Sequence, residues 1–284
     1  MKSVRIIPRL DIKGPNLVKG IHLEGLRALG SPDFFAENYY HLGADELFYQ
    51  DTVASLYGRN SLNDFITKAA KNIFIPLTVG GGLRTLEDIH AVLRAGADKV
   101  SINSAAVQDP SFINKASKVF GSSTIVISLE VIKVDEEYLI YTDSGREYTG
   151  VKLIDWVIEA QDRGAGEFFL TSIDNEGTGK GYDIDLIRML SDAVEIPVIA
   201  HGGAGNLDHI FEAIIDGRAD AISISSLLHY SMIKEHETKI ENKISLSEGN
   251  SEFIKNKKTF KNFQNHSIRK IKDYLLKKEI NVRT

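Results

Sequence analysis

Short runs of apolar and β-branched residues recur at 5–10, 46–49, 76–79, 99–102, 124–129, 167–170, 197–200 and 221–224. Longer stretches with apolar positions at helical spacing, such as 85–95 and 207–216, separate most of them. Eight strand units with helical connections predict an α/β fold, the parallel (β/α)8 or TIM barrel, with an open doubly wound sheet as the competing arrangement. The pattern also repeats. TVGGGLRTLEDIHAVLRAGADKVSINSAA at 78–106 resembles AHGGAGNLDHIFEAIIDGRADAISISSLL at 200–228. ADELFYQD at 44–51 resembles AGEFFLTS at 165–172, and RLDIK at 9–13 stands in register with SLEVI at 128–132. All these pairs share an offset of about half a barrel, which predicts two fused (βα)4 half-barrels.

One stretch departs from the order. Residues 232–266 are rich in Lys, Glu and Asn, with a Ser/Gly break at 245–250, and they precede a last helix at 267–279. They are expected to be an insertion after the eighth strand, partly helical or mobile, in a single domain spanning 1–284. The insertion is either a solvated excursion or a lid over the face on which it starts.

The length of 284 residues and 43% hydrophobic content suit one barrel with a sizeable core. A net charge of -5 argues against nucleic acid or an anionic membrane as the main partner. The absence of cysteine excludes disulfides, thiolate metal sites and a Cys nucleophile. The first residues, MKSVRIIPRLDIKG, lack the apolar core of a signal peptide, and no apolar run is long enough for a membrane span. A cytoplasmic protein is expected.

Candidate chemistry gathers at the carboxyl ends of the strands. Gly80, Gly81 and Gly82 follow the third strand, and Gly202 and Gly203 follow the seventh, each before a helix. Glycine lets backbone N–H groups approach an anion, and helix N-termini favour negative charge. Asn103 and Ser104, then Ser225 and Ser226, end the fourth and eighth strands and add polar donors. The duplicated loops predict two phosphate sites across one face, hence a long substrate with a phosphate at each end. Asp11 ends the first strand and Glu130 ends its repeat-mate, the fifth. Two acids opposed across a bound substrate suit general acid–base work; the alternative is that one caps a loop or pairs with Lys13 or Lys19. Strand parity turns Arg9, Ile7 and Arg5 to the same face as Asp11, and Lys99 to that of Asn103. Arg5, Glu46, Lys99 and Glu167 are therefore placed to meet inside the amino-end mouth, as a neutral plug or gate or else as solvated strand starts. His201, beside Gly202, is a candidate phosphate donor or general acid, whereas His22, His90, His209 and His229 read as loop or helix-face residues. No spacing suggests a metal site, and no cofactor is expected.

With these residues in view, IIPRLDIK, NLVKG, DELFYQD, PLTVGGG, ADKVSINSAA, RGAGEFFLTSID, GTGKGYD, HGGAG and the final NVR resemble the cyclase subunit of imidazole glycerol phosphate synthase over nearly the whole chain except about 232–266. A sister isomerase of histidine biosynthesis shares the barrel and its repeat but not the DKVSIN and GAGE combination. The resemblance implies a lyase that takes ammonia from a glutaminase partner docked at the amino-end face as a heterodimer. It would convert a phosphoribulosyl formimino carboxamide ribotide, which bears two phosphates, to imidazole glycerol phosphate and aminoimidazole carboxamide ribotide. Two family aspartates act as acid and base: Asp11 matches the first, and the second falls on Glu130. Lys19, Asn103, Thr142, Ser144 and Thr171 match polar active-site positions, and Arg5, Glu46, Lys99 and Glu167 match the ring that admits ammonia. Arg9 stands where a small residue is usual, Asn175–Glu176 where a basic–Asp pair is common, and His201 where Ser or a similar residue is common. These departures leave two further readings beside the cyclase. One is a paralogue that receives ammonia for amidation of a surface-polysaccharide sugar; the other is a non-catalytic scaffold.

Overall fold

A computed structural model describes residues 3–54, 62–236 and 262–284 of the chain. Its first half runs β1 (Arg5–Lys13), a hairpin β2 (Asn16–Ile21) and β3 (Glu24–Gly30), α1 (Pro32–His41), β4 (Leu47–Asp51), α2 (Asn63–Asn72), β5 (Leu77–Gly80), α3 (Leu86–Ala95), β6 (Lys99–Ile102), α4 (Ser104–Gln108) and α5 (Ser111–Phe120). The second half restates it: β7 (Ile125–Val134), a hairpin β8 (Glu137–Thr142) and β9 (Glu147–Lys152), α6 (Leu153–Asp162), β10 (Glu167–Ser172), α7 (Ile184–Ala193), β11 (Val198–His201), α8 (Leu207–Ile215), β12 (Ala221–Ile224), α9 (Ser226–Glu235) and α10 (Ile268–Lys277). Strands pair in the order β10-β11-β12-β1-β4-β5-β6-β7, and β10 pairs β7 to close the barrel. The barrel pairings are parallel, so the eight predicted strands and the TIM fold are those observed. The two hairpins, which the apolar pattern did not mark, are antiparallel extensions at matching places: Asp11 pairs with Val18 and Glu130 with Tyr141.

The main core lies between the strands and the surrounding helices, whose apolar faces bury residues such as Phe35, Ile66, Ile89, Ile113, Trp156, Leu190, Ile210 and Ile271. A second cluster, Ile7, Phe48, Val126, Phe169, Ile199 and Ala221, fills the inside of the barrel. Phe48 and Phe169 lie with ring centroids 4.1 Å apart. The interior is thus packed beneath the active face, and side chains above this layer have a rigid floor.

Helix boundaries follow capping chemistry. Thr85 and Asp88 form a capping box at α3, Asn206 caps α8, and Ser267 caps α10, so each helix starts one residue inside or at the edge of its predicted span. At the amino end, Asp45 accepts from the Ile6 N–H and from Lys272 Nζ at 2.7 Å, tying α10 to the barrel.

The predicted insertion is narrower than 232–266 in the part that is described. Met232 to Glu235 complete α9, and 262–266 pack onto the barrel: Gln264 N–H donates to the Gly205 carbonyl and His266 N–H to Ser231 Oγ. Residues 237–261 lie outside the described residues. Among the described residues no helix is long and apolar enough to cross a membrane. None of them gather as a His/Cys/Asp/Glu group placed to hold a metal ion.

Candidate active site

The carboxyl-end face is built by strand ends and the loops after them. On the first-half side, Gly81, Gly82, Asn103, Glu130 and Ser144 line a cleft of roughly 260 Å³, together with Asp51, Arg84, Ser128 and Asp143. Glycine is required at Gly81: its φ is 108°, and a Cβ would meet the Asp51 carbonyl oxygen at 2.5 Å. Half a turn away, Glu176, His201, Gly202, Gly203, Ser225, Ser226 and Phe263 line a much smaller pocket of about 10 Å³. Gly203 has φ 111°, and its Cβ would fall 1.9 Å from the Gly181 carbonyl oxygen. Strands β6 and β12 end alike: Asn103 and Ser225 hold near-identical backbone angles, φ -124°, ψ -89° and φ -115°, ψ -83°, and each opens a helix. Two matching sets of helix N-terminal N–H groups therefore face the two pockets.

Several polar side-chain oxygens around this face have no protein partner. Ser226 Oγ, Ser172 Oγ and Asn103 Oδ1 are buried and unbonded, a costly state unless something else satisfies them. Ser225 differs from expectation, because its hydroxyl donates to the Arg9 carbonyl at 2.9 Å. Thr142 is buried at the end of β8 and lines neither pocket.

Between the pockets sits a buried charged network. Asp11 accepts from Arg9 Nε at 2.8 Å through Oδ1 and from Lys19 Nζ at 2.8 Å through Oδ2. Lys19, 1% exposed, also contacts Glu176. Arg9 Nη1 donates to Thr171 Oγ1 at 3.2 Å, and its guanidinium lies 5.8 and 5.6 Å from the rings of Phe48 and Phe169. Burial alone would raise Asp11, yet Arg9 and Lys19 hold it well below the usual carboxylate range. Glu176 is likewise buried and held down at about 2 by Lys19, with His201 adding to the effect. Glu130 behaves oppositely. Burial pushes it up to about 7, against the pull of Arg9 and of the Gly145 N–H, which donates to Oε2 at 2.9 Å. In the unliganded site Asp11 is therefore an anion, while Glu130 is protonated below about pH 7.

His201 is neutral at such pH, because burial, with Arg9 and Lys19 nearby, pushes its ring down to about 4. Nδ1 lies 3.3 Å from the Ser223 carbonyl, which can only accept, so Nδ1 carries the hydrogen. His229 is fully buried rather than on a helix surface, with Nδ1 2.6 Å from Tyr39 Oη.

At the opposite mouth the four charged strand starts do meet. Arg5 Nη1 contacts Glu46 at 2.8 Å and Nη2 contacts Glu167; Lys99 Nζ lies 3.2 Å from Glu46 and 3.0 Å from Glu167. Thr78 Oγ1 adds a 2.6 Å bond to Glu46. The result is a neutral, nearly closed ring across the mouth. Sequence reasoning missed Ser172, Asp143 and Phe263 among the residues around the pockets; for Asp143 the signal was its place between Thr142 and Ser144.

Comparisons with known proteins agree with this geometry. The family described as "Histidine biosynthesis protein" matches residues 5–234. The chain is 53% identical over 209 residues to the imidazole glycerol phosphate synthase subunit HisF of Legionella pneumophila, covering 73% of this chain and 99% of that protein. It is 46% identical over 243 residues to the subunit of the same name from a Nostoc species, covering 84% of this chain and 94% of that one. For the Trichormus variabilis subunit the figures are 46%, 243 residues, 84% and 95%.

Proposed function

Because this chain belongs to the histidine biosynthesis protein family, we propose that it is the cyclase subunit of an imidazole glycerol phosphate synthase. It uses ammonia to convert the phosphoribulosyl formimino carboxamide ribotide to imidazole glycerol phosphate and aminoimidazole carboxamide ribotide. The observation that carries the reading is the pairing of two repeat-related, glycine-lined pockets with two buried acids: Asp11, bonded to Arg9 and Lys19, and Glu130, on the wall of the larger pocket.

The residues divide the work. Gly81, Gly82, Asn103 and Ser104 hold one phosphate, and Gly202, Gly203 and Ser226 hold the other, through backbone N–H groups and hydroxyls. An amine that adds to an electrophilic carbon becomes cationic and must lose a proton, while the leaving side must gain one. Anionic Asp11 balances the first charge and accepts its proton, and protonated Glu130 donates the second. Lys19 and Thr171 keep Asp11 and Arg9 in place. At the amino end, the ring of Arg5, Glu46, Lys99 and Glu167 admits ammonia released by a glutaminase subunit docked on that face. Exposed Phe74 and the groove beside it, lined by Ile73, Ile75, Pro76 and Asp98, offer that partner an apolar footing. The sugar-amidation reading rests on an intact gate beside the altered residues Arg9, Glu130, Glu176 and His201, and relatives named as the synthase subunit favour the cyclase over it.

Two expected results follow for the site. Turnover falls as pH rises through about 7, because Glu130 loses the proton it must give, and a stopped pH series of kcat reads this directly. Gly203→Ala, which drives a methyl group into the Gly181 carbonyl, raises KM for the bisphosphate substrate by about tenfold or more. The function itself is tested by expressing the chain in a histidine auxotroph that lacks its own cyclase, on ammonium-rich medium. Growth with the wild type and none with Asp11→Asn is expected; no growth with a well-expressed, folded wild type overturns the reading.

A further inference from the structure

Arg9 is a full cation placed on the barrel floor, 4% exposed. A buried arginine is costly to hold unless every side of it is engaged. Here the engagement is directional. Its Nε is bonded to Asp11, Nη1 to Thr171, and its plane rests on Phe48 and Phe169, which lock together beneath it. Thr171 is in register with Glu130 on β7 and with His201 on β11, so the guanidinium stands between the two halves of the site. It is bonded to one acid and lies within electrostatic reach of the other. The aromatic rings beneath leave the charge no room to sink, and the hydrogen bond to Asp11 fixes the side on which it stays.

The geometry points to Arg9 as a positioning residue that holds Asp11 as the anionic member of the acid pair. Bonded to Asp11, it keeps that carboxyl an anion and leaves Glu130 to act as the donor. This deepens the cyclase reading and rests on it for its consequence in turnover, but not for its effect on the two carboxyl groups themselves. The surroundings of each acid are defined. Asp11 is faced by Arg9 from its own strand, Lys19 from β2, His201 from β11, and Glu176 from the loop after β10. Glu130 is faced by Arg9 from β1, by Asp143, and by the Ser144 and Gly145 N–H groups of the β8–β9 turn. Arg9 acts on both acids. Lys19 alone cannot serve Asp11 fully, because it is shared with Glu176. Losing Arg9 therefore removes one of two cations from Asp11 and the cation that pulls Glu130 down.

The test uses the purified chain with no ligand, and carbon-13 carboxyl NMR titration of Asp11 and Glu130 from about pH 4 to 9. In the wild type, Asp11 is flat and Glu130 titrates at about 7. In Arg9→Met, which keeps bulk on the phenyl rings, Asp11 starts to titrate within the window and the Glu130 midpoint rises. Arg9→Lys restores both wild-type curves in large part, which separates lost charge from lost packing. Turnover with ammonium chloride then shows an acid limb in Arg9→Met that the wild type lacks, with kcat at the acidic end down about tenfold and KM little changed. Unmoved titration curves in a folded Arg9→Met overturn the proposal. A wild type that titrates as described but turns nothing over leaves Arg9's role standing and defeats the cyclase reading instead.

Discussion

Asp11→Asn is expected to lower kcat for ammonium-supported turnover by about 10³-fold while the barrel stays folded. The side chain is isosteric, and the Asn oxygen still accepts from Arg9 or Lys19, so the bonds seen at Oδ1 and Oδ2 are only partly lost. What disappears is the charge. Two buried cations then face Glu176 as the remaining carboxylate, and the anion at position 11 that takes a proton from the incoming amine is gone. KM for the bisphosphate substrate should move little, because the two pockets proposed for the phosphates are lined by Gly81, Gly82, Gly202 and Gly203, and Asp11 lines neither. Steady-state kinetics that separate kcat from KM check this. A rate within threefold of the wild type would remove Asp11 from the chemistry.

The second large effect is on stability. Lys19→Met should destabilise the barrel by about 3–5 kcal/mol, since it leaves Asp11 and Glu176 as buried carboxylates with one cation fewer between them. For a domain of this size that is a loss in Tm on the order of 10 °C, read by calorimetry. The sign of the pH dependence is set by Glu176. Its pKa is lowered from 4.5 to about 2, so its contribution is present above 4.5 and is lost as pH falls towards 2. In Lys19→Met the two carboxyls protonate at higher pH, which relieves the unpaired charge. The gap between wild type and variant should therefore narrow as pH falls below about 5.

The legible and illegible parts of this chain have physical reasons. The eight barrel strands announce themselves because their residues are apolar in short runs, and the repeat lets each half check the other. Asp11, Glu130 and the two glycine loops follow from that repeat; strand parity put Arg5, Lys99 and Glu167, with Glu46 at its strand start, at one mouth but left open whether they meet, and in the structure they do. The hairpin β2–β3 escaped because its turn, His22–Leu23, adopts positive φ without glycine, as does Asp135 between β7 and β8; the β8–β9 turn does hold Gly145, but no apolar alternation flanks it strongly enough to mark two strands. Arg9 was placed facing inward by parity, yet nothing local says that a cation there will be held by Thr171 and two phenylalanines. Phe48 and Phe169 come from strands β4 and β10, far apart in sequence. The same holds for Lys19 and Glu176, whose contact joins β2 to the loop after β10. Pairwise electrostatics across a barrel depend on register and closure, which the linear pattern does not carry.

Nitrogen-15 ammonium chloride, the formimino ribotide and the purified chain, followed by NMR, test the central claim most directly. The account predicts equal amounts of aminoimidazole carboxamide ribotide and imidazole glycerol phosphate, with the label in the imidazole ring of the latter and the reaction abolished in Asp11→Asn. A folded wild type that binds the ribotide and returns it unchanged, or that releases the carboxamide ribotide with no labelled imidazole, would contradict it.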